Sequence, residues 1–81
     1  MTLPQYQSIS CQMHSELELA IMHKKHLQIY VRENNTTLSL IIQPYDIISR
    51  KGEGEFLLAI DNAQNKISLR LDQIKSFKQL S

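Results

Sequence analysis

The sequence predicts a mainly β domain with one N-terminal α-helix. Three observations carry that expectation. Apolar side chains recur at helical spacing only between Met13 and Lys25. From His26 onward the hydrophobic period falls to two, the alternation of a strand. The alternating runs are short, roughly five of them, and turn-forming residues separate them. A sheet so small leaves long open edges unless it bends. The expected architecture is therefore a small barrel of about five short antiparallel strands with the helix over one end. The 81 residues suffice for one core and no second one. The expected division is an irregular lead-in over 1–12, a helix over 13–25 and the barrel over 26–81.

Each element has its own reason. Pro4 discourages a helix in "MTLPQYQSIS". Ser15 and Glu18 have the S-x-x-E spacing of a capping box and so mark a helix start. Met13, Leu17, Ala20 and Ile21 share one helical face, with His14, Glu18 and Lys25 on a flanking polar stripe. A helix this short must dock on something to be stable. In "HLQIYVR" the residues Leu27, Ile29 and Val31 point inward, and "ENN" is a turn signal. "TLSLIIQ" repeats the alternation with Leu38, Leu40 and Ile42. Pro44, having no N–H for the ladder, is expected to close that strand, and "YDIIS" to hold another short one. The glycines of "RKGEGE" permit a tight turn before the apolar strand "FLLAI". After the turn "DNAQN", "KISLRL" points Ile67, Leu69 and Leu71 inward. "DQI" reads as one turn of tight helix before a last strand at "KSFK".

The single cysteine and all three histidines fall in "CQMHSELELAIMHKKH", residues 11–26, whose C-x2-H…H-x2-H pattern resembles a four-ligand zinc site. Helix geometry opposes it. At about 100° per residue His14 and His23 lie on opposite sides of one helix, and no Gly or Pro between them breaks it. Structural zinc sites also favour several thiolates or more regular spacings. No metal is expected. Cys11 reads as a small buried hydrophobe, since no orienting acid or Gly-rich oxyanion turn accompanies it and His14. Glu53 and Glu55 sit in a glycine loop open to solvent, a poor setting for paired-carboxylate catalysis. There is no P-loop and no G-x-G-x-x-G. The expectation is a protein without catalysis or cofactor. Its net charge of +1 is too balanced to draw nucleic acid or membrane by electrostatics alone. One cysteine forms no intramolecular disulfide. Neither a signal peptide nor an apolar run of about 20 residues is present, so a cytoplasmic location is expected.

Three stretches, taken in order, carry a likeness. They are Tyr6-Gln7-x-Ile9-x-Cys11 with Leu17-Glu18-Leu19-Ala20 and His23; Asp46 with Ser49-Arg50-Lys51; and Leu69-Arg70-Leu71-Asp72-x-Ile74-x-Ser76-Phe77. Together they resemble the Rho-binding antiterminators (the Rof or YaeO family) over nearly the whole chain. The resemblance implies an Sm-like small barrel with an N-terminal helix. It implies a protein that binds transcription termination factor Rho on its N-terminal RNA-binding domain, at or beside the primary RNA-binding site. Bound there, such a protein obstructs RNA loading and suppresses Rho-dependent termination. Contacts would come from His14, Ser15 and Glu18 on the helix and from Arg50 and Lys51 in the S-R-K loop. The chain departs from the family pattern at Gln12 to Ser15, where "QMHS" stands in place of an acidic "DDYD".

A second class of function is an Sm-like protein that binds single-stranded RNA directly. It would stack bases on Tyr30, Tyr45 and Phe77 and hold phosphates with Arg70, Lys75 and Lys78. The balanced charge opposes it, and no direct nucleic-acid binding is expected. Lys75 and Lys78 in the final strand disfavour edge pairing, so the expected state is a monomer.

Overall fold

One helix and five strands account for most of residues 9–80, the part of the chain that the structure, a computed structural model, describes. Pro4, Tyr6 and Gln7, with most of the expected lead-in, lie outside the described residues. Helix α1 spans Cys11–Met22. It begins and ends earlier than the expected 13–25, for reasons visible at each end. Ser10, in extended conformation, accepts a hydrogen bond from the Met13 N–H at 3.1 Å. Ser10 is therefore the N-cap, and Ser15 with Glu18 lies inside the helix instead of forming a capping box. At the other end Lys24 adopts a left-handed φ of 53°. The Lys24 N–H reaches the Ile21 carbonyl and the Lys25 N–H the Ala20 carbonyl, the paired bonds of a Schellman ending. The helical face is the expected one. Leu17 and Ala20 are buried, and Met13 and Ile21 pack beside them.

Strand β1, His26–Glu33, buries Leu27, Ile29 and Val31 as its period requires. Asn34 and Asn35, with φ of 49° and 63°, turn it tightly into β2, Thr36–Arg50. Pro44 does not end β2. The ladder to β3, Gly54–Asp61, runs Pro44 to Ala59 and then Asp46 to Leu58, skipping Tyr45. That bulge accommodates a residue lacking an N–H, and it lets one strand pair with β1 in its first half and β3 in its second. The expected separate strand at "YDIIS" is thus the continuation of β2. Leu38, expected inward, remains exposed near the β1–β2 turn, while Leu40 is half-buried and Ile42 buried. Strand β4, Lys66–Arg70, leads through a single 3-10 turn, Leu71–Gln73, into β5, Ile74–Leu80.

All ladders are antiparallel, in the order β4-β3-β2-β1-β5. No ladder joins β4 to β5, so the described sheet is open where a closed barrel was expected. The 3-10 turn carries the chain away from β4, and β5 pairs with β1 instead. Leu17 and Ala20 of α1 complete a core with Leu27, Ile29, Val31, Ile42, Leu57, Ala59, Leu71 and Ile74. The helix is held by this apolar contact, as its length demanded.

Candidate functional site

Two elements distant in sequence meet at the first half of α1. Glu18 stands one turn after His14, and its Oε1 lies 2.7 Å from His14 Nδ1. The other ring nitrogen, Nε2, faces Glu55 Oε2 at 3.5 Å. Glu55 belongs to β3, where it pairs in register with Ser49 of β2. His14 therefore links the helix to the hairpin that carries Ser49-Arg50-Lys51. Its side chain is 30% exposed, against 59% for Glu18 and 37% for Glu55, so solvent screens both contacts strongly.

The hairpin itself is built for a tight reversal. Gly52 has φ of 78° and Gly54 of 106°, values open to glycine, and the Glu53 N–H returns to the Arg50 carbonyl. Arg50, beside Gly54 in the ladder, lays its guanidinium over the Phe56 ring at 4.5 Å from the centroid. Lys51 and Glu53 are exposed at the tip.

Of the residues that sequence reasoning places at the site, His14 and Glu18 are in contact, and Arg50 and Lys51 occupy the hairpin bridged to them through Glu55. Ser15 is exposed on the helix surface. Two expectations need correction. Cys11 is exposed instead of buried, because α1 begins with it and its position lies off the apolar face. Glu55 is a strand residue in contact with His14 instead of a free loop carboxylate. Glu55 is also the site residue that sequence reasoning misses. The available signal is its place in the alternation with Leu57 and Ala59, which puts a carboxylate on the core-facing side of β3.

The opposite flank of α1 borders a groove of about 430 Å³ toward β5, lined by Leu19, His23, Leu27, Phe77 and Lys78 among others. His14 and His23 thus face different flanks, as the helical angle required. Among the described residues no group of His, Cys, Asp or Glu is arranged to hold a metal ion. No helix there is long and apolar enough to cross a membrane. The groups that direct RNA binding would use are placed unevenly. Tyr45 is exposed at the bulge, and Lys75 and Lys78 on β5. Phe77, however, packs against the core, and Arg70 is only 5% exposed and paired with Asp72.

Comparison with curated proteins and with solved structures gives no match. A family model does match, over residues 8–81, and its description is a modulator of Rho-dependent transcription termination (ROF). The matched span holds the helix, the hairpin and every strand described above. It is the same family to which the three collinear stretches pointed, and the chain belongs to it: the ROF modulators of Rho-dependent transcription termination.

Proposed function

We propose that this chain inhibits Rho by binding its N-terminal domain at or beside the primary RNA-binding site, so that RNA no longer loads and termination fails. It acts by occupancy, without catalysis or cofactor, as a cytoplasmic monomer. The binding surface is formed by His14, Ser15 and Glu18 of α1 with Arg50 and Lys51 of the β2–β3 hairpin. The observation that carries this reading is the meeting of those two segments around Glu55. Electrostatics agrees with it. Glu16, Glu18 and Glu53 are exposed on the helix and hairpin, with Glu55 between them, and acidic groups suit a surface that must cover a basic RNA-binding face. They supply negative charge that "QMHS" lacks in the first turn of the helix.

The test uses two reversals far apart in sequence. Glu18→Lys places like charges against the basic partner and costs about 2 kcal/mol of binding if the pair is desolvated. Because Ser10 caps the helix, this change leaves the cap intact, and the exposed i,i+4 contact to His14 that it removes is worth only about a few tenths of a kcal/mol of stability. Lys51→Glu alters an exposed turn residue and removes a cation that meets acidic or backbone groups of the partner at a second point. In a transcription assay where the wild type suppresses Rho-dependent termination, both variants should restore it with melting temperatures near wild type. If both bind Rho as tightly as the wild type, the surface is wrong.

A further inference from the structure

We propose that His14 is also a positioning residue, a clamp between α1 and the β2–β3 hairpin, with Glu55 as the hairpin's half. The inference rests on the Rho-binding reading and deepens it, since it explains how two segments distant in sequence act as one surface. The two nitrogens of the ring serve different elements. Nδ1 meets Glu18 within the helix at 2.7 Å, which fixes the ring's direction. Nε2 then extends to Glu55 on β3 at 3.5 Å. The imidazole carries a polar nitrogen at each end of a rigid ring, so one helical position serves both contacts.

The hairpin has reason to need such a tie. Its tip, Lys51, Gly52 and Glu53, is wholly exposed, and both of its glycines hold positive φ. Glycine leaves the free chain many conformations, so an untied tip would be ordered at the expense of binding. Arg50 over Phe56 steadies one strand of the hairpin at its end. The other strand enters through Gly54 and Glu55, and Glu55 is where His14 reaches it. The clamp therefore acts on affinity by holding Lys51 and Arg50 in place before the partner arrives, and the His14 ring itself need not touch that partner.

Two substitutions at His14 separate this role from direct contact. His14→Phe keeps a ring of similar shape and loses both nitrogens; His14→Arg keeps donors that reach both carboxylates. The expected result is Rho binding weakened about three- to fivefold in His14→Phe, the size of an exposed ion-pair effect, and near wild type in His14→Arg. Glu55→Gln added to His14→Phe should leave the hairpin tip of the free protein no more mobile than His14→Phe alone. In the free protein, 15N relaxation should show the Gly52 and Gly54 amides more mobile in His14→Phe than in wild type. Full affinity of His14→Phe, or a further rise in tip mobility in the double variant, overturns the clamp. If the wild type does not bind Rho at all, the functional reading falls, and the glycine amides decide the clamp alone: raised mobility supports it and unchanged mobility overturns it.

Discussion

Arg70 and Asp72 meet through two charge-assisted contacts, Nε to Oδ1 at 2.6 Å and Nη2 to Oδ2 at 2.8 Å, with side chains 6% and 10% exposed. Such a pair is costly to break, because a buried charged group then loses a charge-assisted contact that water does not replace. Asp72→Ala should lose about 1.5 to 3 kcal/mol of stability in urea denaturation. The pair also accounts for part of the "LRLD" stretch that carries the family likeness: Leu71 is fully buried beside it, so these residues build the fold. Sequence reasoning places Arg70 among surface cations because strand alternation sets it opposite Leu69 and Leu71. Nothing in the spacing tells that the chain turns after it and brings Asp72 back. His14 is the reverse case. Its neighbour Glu18 is legible at i+4, but Glu55 is not, since that contact exists only once the helix has docked on the sheet.

At the scale of elements, periods are legible and ends are not. Met13, Leu17, Ala20 and Ile21 define the buried face of α1 from sequence alone, because a 3.6-residue repeat has one solution. Its start is ambiguous, since Ser10 and Ser15 are both good N-cap residues. Ser10→Ala should cost about 1 kcal/mol in thermal or urea unfolding. Ser15→Ala, exposed within the helix, should change stability by no more than about 0.5 kcal/mol. Equal losses would return the cap to Ser15. The C-terminal end is hidden for a different reason: the left-handed residue is Lys24, where glycine is the usual signal. Lys24→Gly should therefore raise stability, by up to about 1 kcal/mol, through relief of that strain. Likewise Pro44 reads as a strand terminator because a bulge is invisible until the partner strand is known. Tyr45 is skipped only in relation to Leu58 and Ala59.

For the whole molecule, the count and direction of strands are legible, and closure is not. Hairpin turns and alternation specify neighbours along the chain, whereas the pairing of β1 with β5 depends on where the 3-10 turn sends the last strand. Both edges of the described sheet carry lysine, Lys66 on β4 and Lys75 and Lys78 on β5. Edge lysines disfavour strand-to-strand association, so light scattering at micromolar concentration should give a mass near 9.4 kDa. A ring-sized particle would contradict it. The strand order has a consequence for the route by which the chain folds. Strands β1 to β4 assemble through consecutive hairpins with small loop-closure entropy, but β5 must find β1 from the far end of the chain. That ladder should form after the rate-limiting barrier. Phe77→Ala, which weakens β5 where it crosses Ile29, should accordingly speed unfolding in a chevron experiment while the refolding arm stays near wild type. A refolding rate that drops in step with stability would instead place β5 in the nucleus.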